Sequence, residues 1–492
     1  MSLIKVEDLT FSYPGSFDNV FENVSFQIDT AWKLGFIGRN GRGKTTFFKL
    51  LLGEYDYKGK ITASIEFDYF PYPVANKNRL TREILWEIAP NAEDWEICRE
   101  FSLLQLREEV LWRSFDTLSQ GEQTKILLAA LFLREGRFLL IDEPTNHLDI
   151  TARRAVAKYL QKKKSFILVS HDREFLDGCV DHILSLNRGN IEVQNGNYSS
   201  WRENFERAQN FENMQNERLR KEINRLKESF KRSERWSEKA ESAKYGERNS
   251  GLRPDRGYVG HKAAKMMQAA KNIEERKSRA IEEKNALLKN AESAETLKLF
   301  PLDYRAERLV TFSEVAIRYG DKKIGSPVSF TVERGERVLL CGGNGSGKSS
   351  LLKLFTGEKI EHSGTLSFGS DLIISYVPQD TARLKGSLST YIKEKNIEES
   401  LYKAILNKMD FEKEQFDKDI SSFSDGQKKK VLLAASLCEK AHLYVWDEPL
   451  NFIDVYTREQ IENLLEKYQP TMLFVEHDSA FQRKIATKVV EL

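Results

Sequence analysis

Apolar positions along the chain follow two different rhythms, and the rhythms divide it. Before about residue 205, and again after about 305, short unbroken apolar runs recur: Leu34–Ile37, FLLI before Asp142, FILV before Ser170, then Val338–Cys341, YVW before Asp447 and MLFV before Glu476. Runs this short, closed by polar or glycine residues, predict strands buried on both faces of a parallel sheet. From Arg207 to Leu299 the rhythm becomes helical. Phe211, Met214, Leu219, Ile223, Leu226 and Phe230 step by three to five, and Met266, Ile273, Ala280 and Leu287 step by seven. Between them Gly246, Gly251, Pro254, Gly257 and Gly260 interrupt any helix. The pattern predicts an antiparallel helical hairpin with a coiled-coil seam and a loop at its tip. A first helix of about 35 residues, at ~1.5 Å each, would reach on the order of 50 Å.

The two strand-rich regions are copies of each other. GRNGRGKT at 38–45 returns as GGNGSGKS at 342–349, LSQGEQ at 118–123 as FSDGQK at 423–428, IDEP as WDEP, and SHD as EHD. Lys44 to Ser119 is 75 residues and Lys348 to Ser424 is 76; Ser119 to Glu143 and Ser424 to Glu448 are both 24; Glu143 to His171 is 28 and Glu448 to His477 is 29. Four motifs repeated in one order at matched spacing define a duplicated domain. The expected organisation is a domain at 1–205, a linker at 206–304 with its tip at about 243–262, and a second domain at 305–492.

The first motif is a phosphate-binding loop between a strand and an apolar helix. Gly38, Asn40, Gly41 and Gly43 in one copy, and Gly342, Asn344, Gly345 and Gly347 in the other, bring backbone N–H groups to the phosphates at a helix N-terminus. Lys44 and Lys348 are expected on the β- and γ-phosphates of ATP, Thr45 and Ser349 on Mg2+, with Thr46 and Ser350 next in the helix. Asp142 and Asp447 end their strands beside the metal. Glu143 and Glu448 follow, each a candidate for polarising the attacking water. A lone histidine is more often structural, but His171 and His477 share one offset from the acid pair and are read as γ-phosphate sensors.

Composition bounds the rest. The longest apolar run is eight residues, Ile126–Leu133, against the ~20 that span a membrane. The four cysteines show no CxxC spacing, which argues against zinc and fits a reducing cytoplasm. The net charge of +2 hides a local excess: residues 201–300 hold 24 basic and 17 acidic side chains, and the remainder 52 and 57. A basic stripe of this kind fits a solvated helical face or a polyanionic partner.

With LSQGE, FSDGQ and EPTNHLD added to the phosphate loops, the chain resembles the ATP-binding cassette proteins, and among them the ABC-F class, which carries two cassettes in one chain and no membrane domain. The resemblance covers essentially the whole length. It implies an α/β fold of two cassettes joined by a long helical hairpin and closing face to face. Each ATP then lies between the phosphate loop of one copy and the signature of the other: Lys44 opposite Ser424, Gly426 and Gln427, and Lys348 opposite Ser119, Gly121 and Glu122. Asp149 and Asp454 match the aspartates that cross the interface, and Tyr13 and Tyr319 the aromatic that stacks on adenine. Gln379 matches a magnesium-contacting glutamine. The first copy reads YFPYP there, with no glutamine, so hydrolysis is expected at both sites but unequally.

In the ABC-F class the linker enters the ribosomal E site toward the peptidyl transferase centre. Lys244, Arg248, Arg253, Arg256 and His261, interleaved with Tyr245 and Tyr258, combine cations with stacking rings, as structured RNA requires. The opening LTFSYPGSFDNVFENVSFQIDTAWKLGFIGRNGRGKTTFF is similar to the Lsa-type proteins, which protect ribosomes against lincosamides, streptogramin A and pleuromutilins. The resemblance implies a 70S ribosome partner, contacted at 23S rRNA and P-site tRNA, and no membrane partner. The alternatives are a translation factor acting on stalled or idle ribosomes, and the cytoplasmic engine of a transporter, for which the basic linker has no use.

Overall fold

The structure, a computed structural model, describes residues 3–14, 19–146, 148–186, 191–242, 297–320, 322–343, 345–358 and 360–492. The chain divides into two units, one of residues 1–201 with 295–492 and one of 202–294. Both cassettes lie in the first unit.

Each cassette is built on a largely parallel sheet with the phosphate-loop strand inside it. In the first copy the order is Glu66–Phe70, Arg137–Asp142, Phe166–Val169, Lys33–Gly38, His182–Leu186 and Ile191–Asn195, the last pair antiparallel. In the second it is Ile374–Val377, Leu443–Asp447, Met472–Val475, Arg337–Cys341 and Lys488–Glu491, all parallel. The short apolar runs of the sequence are these central strands, and their burial on both faces is why they do not alternate. Register then assembles the chemistry. Asp142 pairs with Val169 and Asp447 with Val475, so each acid pair ends its strand beside the strand that leads to His171 or His477. The phosphate loop leaves the next strand at the same edge, the carboxyl end where open α/β sheets bind ligands.

A three-stranded antiparallel sheet completes each copy: Phe21–Asp29, Leu3–Phe11 and Lys58–Thr62 in the first, Lys322–Glu333, Arg308–Tyr319 and Glu361–Phe368 in the second. Tyr13 and Tyr319 stand at the ends of the two middle strands. The core between sheets and helices is aromatic. Phe36, Phe47, Phe48 and Phe138 are fully buried in the first copy, as are Trp446 and Phe474 in the second. The phosphate-loop helices differ in length: Lys44–Leu51 is a continuous α-helix, whereas Lys348–Lys353 passes into a 3-10 turn at Leu354–Thr356.

The first linker helix is longer than the pattern predicts. It runs from Tyr198 to Ser242, 45 residues rather than about 35, or ~68 Å at ~1.5 Å per residue. It starts inside the range assigned to the first cassette because Asn197 provides an N-cap, its Oδ1 accepting from the Ser200 amide at 3.1 Å, and because Tyr198 and Trp201 are buried. The second hairpin helix and the tip, including Lys244, Tyr245, Arg248, Arg253, Arg256, Tyr258 and His261, lie outside the described residues. No helix among the described residues is long and apolar enough to cross a membrane, and the four cysteines are unpaired.

Trp446 shows how the core holds the site. It is fully buried in the strand that ends at Asp447, and its Nε1 donates to Ser436 Oγ at 3.0 Å. Trp446→Ala is expected to cost about 3–5 kcal/mol through lost burial and a cavity. Trp446→Phe, which keeps a ring and loses the donor, should cost only about 1–2 kcal/mol more than any packing change. Urea denaturation midpoints of the two variants against the parent measure both; equal, negligible shifts would contradict the packing account.

Candidate functional site

The two copies build the same local geometry from the same residues. Lys44 Nζ donates to the carbonyls of Gly38 at 2.7 Å and Arg39 at 3.2 Å, and Lys348 Nζ to those of Gly342 and Gly343, both at 2.8 Å. Each lysine is folded back on its own loop. Gly43 and Gly347 cap the following helices at φ of +102° and +100°. A side chain at Gly43 would also meet Val20 Cγ1 at 2.5 Å, so the turn needs glycine for conformation and for space. Tyr13 OH lies 2.6 Å from Thr46 Oγ1, and Tyr319 OH 3.1 Å from Ser350 Oγ. The two tyrosines are thus held over their phosphate-loop helices in the same way, with rings half exposed. Asn344 lies outside the described residues.

The acid pairs carry an unusual backbone. Glu143 and Glu448 have φ of +49° and +46°, a left-handed conformation costly for a residue with a side chain and concentrated at functional sites. His171 Nε2 is 3.3 Å from Glu143 Oε1, and His477 Nε2 is 3.3 Å from Glu448 Oε1. The sequence placed the pairs only by offset; the fold brings each within reach of one shared water. Asp142 Oδ2 accepts from Thr45 Oγ1 at 2.9 Å. Ser349 Oγ donates to Gln379 Oε1 at 3.4 Å, and Asp447 Oδ1 is buried with no hydrogen-bond partner. A hydroxyl, a carboxylate and an amide oxygen gathered about an unsatisfied buried carboxylate oxygen are hard oxygen donors suited to Mg2+.

The electrostatics of the copies differ. Burial, helped by neighbouring Asp142, pushes the Glu143 carboxyl up to about 8. Burial also acts on Glu448, but the hydrogen bond and charge of His477 outweigh it and hold that carboxyl below its ordinary value. Burial pushes Asp447 up to about 6 and raises Asp142. His171 is held well below its usual value by burial and by the Lys44 charge. In the first copy Tyr69 OH donates to Asp142 Oδ2 at 3.1 Å, so a phenol lies on the metal-side aspartate where the sequence gave no reason to look.

The second signature faces the opposite copy. Asn40 Nδ2, in the first phosphate loop, donates to Phe452 O of the second copy at 2.6 Å, and a Cβ on Gly426 would lie 3.1 Å from the same amide. Arg39 and Arg42 each approach Asp410 at 3.4 Å. In the other direction, the charge of Asp149 bears on Lys348. Both signature serines are N-caps of helices, Gln120–Phe132 and Asp425–Cys438, each in a capping box. Glu122 and Gln427 thus have a local task besides any ligand: Glu122 Oε2 accepts from Ser119 N at 2.9 Å and Gln427 Oε1 from Ser424 N at 3.0 Å. The sequence shows this in the S-x-x-E/Q spacing.

Asp454 was placed by the resemblance, whereas Lys430, Arg458, Arg173 and Asn451 were not singled out by motif. Asp454 caps helix Val455–Tyr468 through the Thr457 amide and forms a fully buried ion pair with Lys430 at 3.2 Å. Arg458 Nη1 donates to Asp478 Oδ2 at 3.1 Å, and its Nε and Nη2 reach the carbonyls of Ile453 and Leu450. Arg173, next to His171 and Asp172, crosses to Glu462 and Asp478 of the second copy. Asn451 Nδ2 donates to Glu448 Oε2.

Known proteins agree with this geometry. Residues 21–146 and 326–451 each match the family described as ABC transporter. The chain is similar to the ribosome protection protein VmlR of Bacillus subtilis, at 27% identity over 96% of this chain and 84% of that one. It is also similar to the energy-dependent translational throttle protein EttA of Haemophilus influenzae, at 24% over 96% and 89%. Among solved structures, an archaeal ribosome recycling factor in complex with a ribosomal stalk protein shares the fold, at a TM-score of 0.61, 22% identity and coverage of 98% and 87%. Two matched ATP-binding domains in one chain, each with an intact phosphate loop, acid pair and histidine, settle the assignment: the chain belongs to the ABC transporter family of ATPases, as a two-cassette member of its F class.

Proposed function

We propose that the protein is a cytoplasmic ATPase of the ribosome. In this reading it binds at the E site and uses its linker tip to displace lincosamides, streptogramin A and pleuromutilins from the peptidyl transferase centre. The observation that carries the ATPase half is the acid–histidine pair beside a phosphate loop in each copy, with the second signature opposed to the first loop. The ribosome half is supported by the basic, ring-bearing linker and by relatives whose names mark them as a ribosome protection protein and a translational throttle. The second name favours one other reading, a translation factor on stalled or idle ribosomes with no drug role.

In each site, the loop glycines and Lys44 or Lys348 hold the phosphates, and Tyr13 or Tyr319 covers the adenine. Thr45 with Asp142, and Ser349 with Asp447 and Gln379, would hold Mg2+, which when bound neutralises phosphate charge. Glu143 or Glu448 takes up the proton side of the attacking water, steadied by His171 or His477. Ser424, Gly426 and Gln427, or Ser119, Gly121 and Glu122, close over the γ-phosphate from the other copy. ATP favours the closed state, and closure holds the linker in its ribosome-binding pose. The tip then decides the outcome at the drug site, with Tyr245 and Tyr258 stacking on RNA bases and Lys244, Arg248, Arg253, Arg256 and His261 on phosphates, near 23S rRNA and P-site tRNA.

Changing both Glu143 and Glu448 to Gln should lower hydrolysis by at least about 100-fold while the protein still co-sediments with ribosomes in ATP; parental turnover in the double variant would sink the acid assignment. The single variants should differ from each other in residual turnover by more than about threefold, since only one site has Gln379 and the two glutamates are held on opposite sides of their ordinary acidity. Equal single-variant rates in a steady-state phosphate-release assay would remove the case for unequal sites.

Replacing residues 245–258 with a short glycine–serine turn should leave ATPase activity and expression near parental and abolish rescue of lincosamide- and pleuromutilin-inhibited translation in a purified system. Tyr258→Ala alone should give a partial loss, as expected for one stacking contact worth ~1–3 kcal/mol. Full rescue by the shortened protein would move the effector into the cassettes. Normal translation effects without any drug rescue by the parent would favour the translation-factor reading.

A further inference from the structure

The two copies differ at a buried position just inside the signature helix. Five residues after the signature serine the first copy has Thr124 and the second has Lys429. Lys429 lies on helix Asp425–Cys438 and is 1% exposed. Its Nζ donates to Pro378 O at 2.9 Å, Glu448 O at 3.1 Å and Asp447 O at 3.4 Å. An ammonium has three donors, and here all three are spent on backbone carbonyls. Two of those carbonyls belong to the turn that carries the acid pair, and the third immediately precedes Gln379. A buried ammonium keeps its charge only where such partners are held in place, so the contact constrains three segments at once.

Those segments serve different ATP sites. The signature at the start of the Lys429 helix faces the first phosphate loop, as the Asn40–Phe452 hydrogen bond and the closeness of Gly426 to Asn40 record. Gln379, Asp447 and Glu448 surround the second phosphate loop. Lys429 therefore ties the lid of one site to the water- and metal-facing residues of the other. Thr124 carries its hydroxyl directly on Cβ and is too short to span the same gap, so the first copy lacks the tie.

We propose that Lys429 is a positioning residue that couples the two ATP sites through the second signature alone: docking of that signature on nucleotide at the first loop and the setting of Gln379 and Glu448 at the second site favour each other. This rests on the site assignment made above. The coupling runs through a contiguous, hydrogen-bonded connection, and its size is what the test measures.

The test uses the full chain with Lys348→Ala, so that a non-hydrolysable ATP analogue occupies only the first site, and reads amide hydrogen exchange. With Lys429 present, the analogue should slow exchange about tenfold at residues 40–46 and also at 379–380 and 448–451. With Lys429→Met the protection at 40–46 should remain and that at 379–380 and 448–451 should vanish; Lys429→Arg should restore it. If the methionine variant melts early without nucleotide, Lys429→Gln, which keeps donors but falls short, serves the same comparison. In the reciprocal protein, Lys44→Ala, analogue at the second site should leave exchange at 143–146 unchanged. Undiminished protection at 379–380 and 448–451 in both Lys429→Met and Lys429→Gln would overturn the coupling, and equal protection at 143–146 would overturn the claim that only the second signature carries it. Loss of protection at 40–46 in the Lys348→Ala protein would instead remove the site assignment, and the coupling with it. As a second readout, in the Glu143→Gln background Lys429→Met should lower kcat about tenfold with KM unchanged, and an unchanged kcat would count against it.

Discussion

The buried ion pair of Lys430 and Asp454 is the interaction on which the meeting of the two cassettes depends. Asp454 is wholly buried and caps its helix, and its carboxyl is held well below the usual carboxylate range, burial being outweighed chiefly by the Lys430 charge. Lys430 also donates to Met409 O at 2.7 Å, next to the Asp410 that Arg39 and Arg42 of the first copy approach. The charge of Asp454 bears on Lys44 and His171 of the first copy. The pair thus adjusts the field at the first phosphate loop from the opposite cassette. A buried pair adds little stability over an apolar replacement, but removing one partner strands a charge at a cost of about 3–5 kcal/mol. Its position is therefore fixed more firmly than its net energy suggests, and the helix beginning at Val455 is fixed with it.

From that anchor the two halves of the interface part company. Arg153 meets Asp172 at 2.9 Å in the first copy as Arg458 meets Asp478 in the second. The further crossings are not equivalent: Arg173 reaches Glu462, whereas the corresponding places in the other direction hold Ser479 and Ala157, and there Arg483 meets Glu174 at 3.5 Å instead, with both side chains exposed. A cavity remains there, lined by Arg153, Ala157, Asp172, Phe175, His477 and Ser479. Duplication supplied two similar frames, and substitution at a few positions gave the two sides of the seam different charge pairs. Thr124 against Lys429 and Tyr72 against Gln379 continue the same divergence.

Much of this was legible in the sequence because it is periodic or repeated. Leu34–Ile37 and Val338–Cys341 were readable as strands since parallel strands buried on both faces are apolar throughout, and the phosphate loops and acid pairs because their spacing recurs. What escaped depends on side chains that meet across the fold. Nothing near Lys430 in the chain announces Asp454, and a lysine after a signature reads as solvated until a sheet edge closes over it. The start of the long helix at Tyr198 was missed because its stabilisation is an asparagine cap and two buried rings, outside any apolar stripe. The paired tyrosines Tyr13 and Tyr319 were placed by resemblance, and the hydroxyl contacts that orient them are tertiary.

The same helix start meets the second copy through a run of rings. Arg39, beside the glycines of the first phosphate loop, stacks on Tyr456 of the second copy with its guanidinium 5.4 Å from the ring centre. Tyr456 meets Trp201 edge to face at 6.4 Å, and Tyr198 OH donates to Glu459 at 3.2 Å. Trp201 is the fourth residue of a helix that continues unbroken to Ser242. Cation–π and edge-to-face contacts weaken steeply when a ring shifts or tilts, so these rings hold only while the first phosphate loop and the helix after Asp454 stay opposed. Tyr198 and Trp201 are therefore packed at the seam between the cassettes. A run of ring contacts thus joins the first phosphate loop to Trp201 across the seam.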